Sequence, residues 1–156
     1  VQRPKSGQNR EREREDGIRK SQKILLTWLI EDEKLFRQIS EYIVPEDFSD
    51  GLYRTVAKLL YKQYEEHEVN PAKIMNHFTD EEQHREVASL FHTKIRELST
   101  PKEREKALKE TIIRVKNYSI ERAGESWDSA DIEGMQRLMK AKSDLQNLQK
   151  LHISVN

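Results

Sequence analysis

The sequence predicts an all-α chain: a compact multi-helix head joined by a long helix to a C-terminal helical hairpin. Three observations predict it. Apolar residues recur at spacings of three and four almost continuously after Ile18. Helix-start signals punctuate the chain at Asp50, Asn70-Pro71, Thr79, Thr100-Pro101 and Asp131. No stretch alternates with the period of a strand over a useful length, because Tyr42-Ile43-Val44 runs into Pro45 and the segment from His152 to Val155 stands alone.

Composition sets the size of the core. Apolar residues are 35% of the 156, against a usual ~45–50%, which suits a core of about 100 residues plus an appendage. Charged residues are 36%, with 28 basic and 28 acidic side chains that cancel. Interleaved charge of both signs reads as solvated helix faces and argues against a general nucleic-acid or membrane surface. The absence of cysteine excludes disulfides and thiolate metal sites and suits the cytoplasm. The longest apolar run, Ile24 to Leu26, is far too short for a membrane span.

Residues 1–17 read as a flexible charged linker. The stretch contains Pro4, Gly7 and the run Arg10-Glu11-Arg12-Glu13-Arg14-Glu15, with no apolar residue after Val1 until Ile18. A chain that opens this way, on Val1 in place of an initiator methionine, is expected to be part of something larger. Residues 18–99 form the helical head. Ile24, Leu25, Trp28 and Leu29 make the broad apolar face of a first helix, followed by a second with Leu35, Phe36, Ile39 and Ile43. Pro45 disfavours a helical Val44, and Asp50 caps a third helix carrying Leu52, Tyr53, Val56, Ala57, Leu59, Leu60 and Tyr64. That helix is apolar over more than half its circumference and is expected at the centre of the head. Leu25, Trp28, Leu29, Phe36, Phe48, Val56 and Leu60 are the expected core residues. Asn70-Pro71 opens a short helix with Ile74, Met75 and Phe78, and Thr79 with Glu82 forms a capping box for a helix facing inward through Val87, Leu90, Phe91, Ile95 and Leu98.

Residues 100–124 are the connecting helix. Thr100 caps it, Pro101 takes the first helical position and Glu103 completes the box. Leu108, Ile112, Val115, Ser119 and Ala123 then mark one narrow face of a helix of roughly 24 residues, about 36 Å. Its first half is expected to pack on the head and its second half to reach away. Residues 125–156 are the returning arm, capped by Asp131, with Leu138, Ala141, Leu145 and Leu148 as its seam. A two-helix projection covers only one side of each helix. Ile120, Trp127, Ile132, Met135, Leu138 and Met139 therefore either cap the hairpin core or form a partner-binding surface, where Met is adaptable.

Chemistry is sparse. Glu81-Glu82-Gln83-His84 is a single Glu-x-x-His, the unit that di-iron bundles use twice, and His84 and His92 are about 12 Å apart along a helix. His67 and His77 add no metal-ligand spacing, so no metal or cofactor site is expected. No H-E-x-x-H, Gly-rich phosphate loop or G-x-S-x-G occurs, and five glycines leave little for a phosphate cradle. The acidic groups Glu31/Asp32/Glu33, Glu46/Asp47 and Glu65/Glu66 read as helix-end or solvated charge. An active site within the chain is not expected. Lys102, Arg104, Lys106, Lys109, Arg114, Lys116 and Arg122 give the long helix a basic character, but interleaved glutamates make it a solvated mixed face rather than a nucleic-acid stripe.

Ile24-Leu25-Leu26-Thr27-Trp28-Leu29-Ile30-Glu31-Asp32, Val44-Pro45-Glu46-Asp47-Phe48 and Leu52-Tyr53-Arg54-Thr55-Val56 together resemble the C-terminal helicase-binding domain of bacterial DnaG-type primases. More distantly they resemble the N-terminal domain of DnaB-type replicative helicases. The resemblance runs from Ile18 through the head, the connecting helix and the hairpin, with Ser129-Ala130-Asp131 opening the last helix. It implies a cytoplasmic, non-enzymatic interaction domain, monomeric when free, whose hairpin attaches to the N-terminal domains of the hexameric replicative helicase and whose head modulates helicase activity. The charged leader resembles the tether to a primase catalytic core, and primer synthesis is implied for the parent protein alone. A self-associating helicase fragment and a helical nucleic-acid-binding module are the alternative readings.

Overall fold

Leu25, Leu26, Thr27, Trp28 and Leu29 are five consecutive buried residues, and a helix buried all round its circumference belongs at the centre of a core. In the computed structural model, which describes residues 7–92, 100–125 and 131–154, they close helix α1 (Gly7–Glu31). This helix packs on the second, third, fifth and sixth helices of the chain. The first helix, rather than the third, is therefore the central one. Its inward face also differs from the expected one, because Ile24 is exposed while Leu26 is fully buried. Polar groups share that face and are satisfied. Ser21 Oγ donates to Gly17 O, Thr27 Oγ1 donates to Lys23 O, and Gln22 Nε2 donates to Ser49 Oγ.

The leader is not a linker from Gly7 onward. The Arg/Glu run is the first part of α1, exposed along its length. Arginine and glutamate are good helix formers, and opposite charges three residues apart support the helix locally. Arg14 adds a tertiary anchor. It pairs with Glu121, and its guanidinium lies 5.6 Å from the centre of the Tyr118 ring.

Asp32 caps α2 (Glu33–Ile39) by accepting from Leu35 N. A 3₁₀ turn at Pro45–Asp47 follows, then α3 (Gly51–Glu65), whose cap Asp50 accepts from Leu52 N and Tyr53 N. Helix α3 buries Tyr53, Val56, Ala57, Leu60 and Tyr64. It ends in a left-handed residue, His67 at φ 57°. His67 N donates to Tyr64 O and Glu68 N to Gln63 O, the paired closing bonds of a Schellman turn. Asn70 caps α4 (Pro71–His77) with Pro71 at its start. The cap of α5 (Glu81–His92) is Asp80, accepting from Gln83 N, one residue later than the expected Thr79. Val87 and Leu90 face the core, while Ile95 and Leu98 lie outside the described residues. Of the expected head core, Leu25, Trp28, Leu29, Phe48, Val56 and Leu60 are buried, and Phe36 is half-buried between Tyr61 and Tyr64.

Tyr53 OH donates to Glu86 Oε1 at 2.6 Å, tying α3 to α5. That bond holds the Glu86 carboxyl below the usual carboxylate range, with Lys23 and Arg19 helping. Burial, then the same carboxylate, pushes the Tyr53 phenol well up. Arg19 lies over the Tyr53 ring and bonds Asp50, which raises its guanidinium further.

Helix α6 (Pro101–Glu125) starts as expected, with Thr100 Oγ1 accepting from Glu103 N. It runs beside both α1 and α7 (Ile132–Lys150). The all-α head, long helix and hairpin are present, but the hairpin does not stand clear of the head. Leu108, Ile112 and Val115 of α6 and Leu148 and Ile153 of the returning arm belong to the same apolar cluster as α1 and α3. Gln38 and Ser154 exchange hydrogen bonds at 3.0 and 3.1 Å, which staples the chain end to α2. No described helix is long and apolar enough to cross a membrane.

Candidate functional site

The hairpin presents two features, an apolar stripe at its tip and a charged joint where it meets the head. Asp131 starts α7 by accepting from Gly134 N at 2.9 Å. At about 100° per residue, Leu138, Ala141, Leu145 and Leu148 point one way, toward α6. Ile132, Met135 and Met139 fall on a separate stripe roughly a third of a turn away. Leu148 is fully buried and the other three seam residues are half-buried. On the second stripe Ile132 is 65% exposed, Met139 62% and Met135 40%. Among the described residues only two other large apolar side chains, Ile24 and Val69, are comparably exposed. Three of the five thus gather on about two turns of α7. Ile120 is half-buried, and Trp127 lies outside the described residues.

The joint was invisible as such in the sequence, where Lys116 and Asp47 read as solvated charge. Both are buried, Lys116 to 2% exposure. Lys116 Nζ donates to Asp47 Oδ2 at 2.9 Å and to Tyr42 O at 2.7 Å, and stands 3.8 Å from Asp144 Oδ2 on α7. Asp47 also accepts from Ser119 Oγ at 2.7 Å and from Val44 N at 2.9 Å. Asp144 is held by Lys140 at 2.8 Å. One ammonium thus touches the loop after α2, the 3₁₀ turn and α7. The available signal was positional: Lys116 lies four residues after Ile112 and three before Ser119, on the face already assigned to packing.

Other cations of α6 are also engaged within the fold. Lys109 Nζ donates to Leu151 O at 2.9 Å and Arg114 Nη1 to Ser21 Oγ at 3.1 Å. Lys116, buried as well, joins Lys109 and Arg114 in intramolecular contacts. Among the described residues no group of three His, Asp or Glu side chains could hold a metal ion. His67, His77 and His84 are exposed and scattered over the α3 exit, α4 and α5, and the His92 side chain lies outside the described residues.

Beside the joint a groove of about 540 Å³ separates the head from the hairpin. Its wall includes Val44, Ala123 and Ala141, with Arg54, Arg122, Arg137 and Lys140 around it. Comparison with known proteins finds no matching family model, no matching curated protein and no matching solved structure.

Proposed function

We propose that this chain is a protein-interaction domain that attaches a bacterial primase to the hexameric replicative helicase, with the α7 tip as the attachment surface and the head as the part that modulates the helicase. The observation that carries the interaction reading is the exposed stripe Ile132, Met135 and Met139. Solvated apolar side chains clustered on one helix face gain most by burial against a partner. The helicase as partner rests on the resemblance of the segments Ile24 to Asp32, Val44 to Phe48 and Leu52 to Val56 to the primase helicase-binding domain. On this reading the chain binds in the cytoplasm and does not itself catalyse.

Titrating the purified chain against the cognate hexameric helicase tests the reading. Complex formation with a changed ATPase rate is expected, and Met135→Glu combined with Met139→Glu should weaken it at least ~10-fold, since charge on a buried contact is costly. Absence of binding at micromolar concentrations removes the proposal. Binding that the double variant leaves unchanged moves the attachment surface elsewhere.

A further inference from the structure

We propose that the α7 stripe is a self-pairing surface: two copies of this chain pack their α7 helices antiparallel about a twofold axis and bury Ile132, Met135 and Met139 against the same residues of the other copy. The proposal does not rest on a helicase as partner.

Charge and register name a second copy as the occupant. Ile132 and Met139 are the most exposed large apolar side chains among the described residues. At about 100° per residue, Asp131 and Lys142 border the stripe on one flank, the acid at its N-terminal end and the base at its C-terminal end. Glu133 and Lys140 lie toward the other flank in the same order, and all four are exposed.

A twofold axis crossing antiparallel helices sets each flank against the same flank of the other copy, run in reverse. Centred between Gln136 and Arg137, it places Asp131 opposite Lys142 of the second copy, Glu133 opposite Lys140, and Met135 beside Met139. Every facing charge pair is then of opposite sign, and charges flanking an apolar seam set the orientation of paired helices. Parallel pairing sets opposite flanks together at one level, Asp131 facing Glu133 and Lys140 facing Lys142, like charge on like, which is costly. The present partners of these groups are local to α7. Lys140 holds Asp144 at 2.8 Å, and Asp131 accepts from Gly134 N and stands 3.9 Å from Arg137. An ammonium has three donors and a carboxylate about four acceptor sites, so both keep capacity for a further contact.

The head leaves room for this packing. The second α7 starts level with Lys142, about 12 Å short of Lys150, near which Leu148 and Ile153 enter the core. Because the same surface serves both copies, the pairing closes as a dimer and does not propagate. Three apolar residues a side make a small interface, so a dissociation constant of about 10–100 µM is expected.

Sedimentation velocity of the full chain from about 5 to 500 µM tests this, a range that spans the expected constant. A monomer–dimer equilibrium is expected, weakened at least about tenfold by Met139→Glu, which buries a charge in the seam. Lys142→Glu, which sets a glutamate opposite Asp131, should weaken it by a similar factor. Adding Asp131→Asn to Lys142→Glu keeps a good helix cap and removes the repulsion, so most of the lost affinity should return. Met139 and Lys142 are exposed, and an unchanged circular dichroism spectrum checks that the variants fold. A chain that stays monomeric throughout the range overturns the proposal, as do assembly beyond a dimer and a dimer that Met139→Glu leaves intact. Failure of Asp131→Asn to recover pairing in the Lys142→Glu background overturns the antiparallel register. Self-pairing is measured on the chain alone and helicase binding by titration with the helicase, so either can fail without the other.

Discussion

The base and the tip of the hairpin are made from the same two helices yet bury different things. At the base, Leu108, Ile112, Leu148 and Ile153 are part of the central core, and Lys109 closes onto Leu151 O. At the tip, 121–125 are exposed and Ile132, Met135 and Met139 face solvent. Between them sits one buried ammonium with its two carboxylates. Burial and apolar exposure are thus graded along one pair of helices. The apolar base ties the hairpin into the fold, the ionic joint fixes its direction, and the tip keeps apolar surface available.

Substitution at the centre and at the tip should separate these ends most strongly. Trp28→Ala removes the largest fully buried side chain and should cost ~3–5 kcal/mol in urea denaturation. Leu148→Ala, although on the hairpin, should cost ~2–5 kcal/mol because it empties part of the same core. Met139→Ala should stay within about 0.5 kcal/mol. A Leu148→Ala variant as stable as Met139→Ala would break the distinction, making the hairpin an independent unit.

The joint should come next. Asp47→Ala strips Lys116 of its closest carboxylate and leaves Ser119 and Val44 without an acceptor, a loss of ~3 kcal/mol. Lys116→Met alone should also destabilise, since it leaves Asp47 and Asp144 buried and underpaired. The double variant should be less costly than the sum of the two. A coupling near zero in this cycle would show that the ammonium and carboxylate act independently.

The ease of reading each part from sequence follows the physics that built it. Periodicity and capping mark the helices because those signals are local: Asp50, Asn70, Thr100 and Asp131 each cap where they stand. Apolar patterning also finds Trp28, Phe48 and Leu60, since burying them is the dominant gain. The joint is hidden because the value of Lys116 depends on Asp47, 69 residues away. A buried charge looks like a surface charge until its partner is in place. The leader is misjudged for a related reason: nothing within 7–17 can bury itself, and its anchor, Glu121, lies on another helix. The exposed stripe on α7 was legible as apolar excess but not as exposed, because only the fold decides which stripe α6 covers.

A pH titration should give an effect of intermediate size and place it in the head. Tyr64 OH donates to Leu29 O at 2.5 Å, and burial, with smaller contributions from Glu33 and Asp32, pushes its phenol up to about 12. A phenol raised on folding stabilises the fold fully below its unfolded value of ~10, and that stability is lost as pH rises from about 10 toward 12. Thermal denaturation should therefore weaken across this alkaline window. Tyr61, pushed up mainly by burial, adds to the same trend. Tyr64→Phe should lose ~1 kcal/mol at neutral pH with the hydrogen bond and show a shallower alkaline decline. An unchanged decline would assign it to Tyr61 or Tyr53.

The smallest expected change is a gain. His67 holds φ 57° at the exit of α3, a left-handed conformation that costs an ordinary residue ~1–2 kcal/mol and glycine little. His67→Gly relieves that strain but gives back part of it through the greater freedom of unfolded glycine, so a net gain of about 0.5 kcal/mol is expected. His67→Ala, which keeps the Cβ, should gain nothing, and equal urea midpoints for the two variants would remove strain as the cause. The exit of α3 is in the head, away from the ionic joint, so stabilisation there should slow global exchange while leaving local opening of residues 131–139 unchanged. A matching change in that segment would mean that the tip opens only when the head does, and the gradient along the hairpin would collapse into a single cooperative unit.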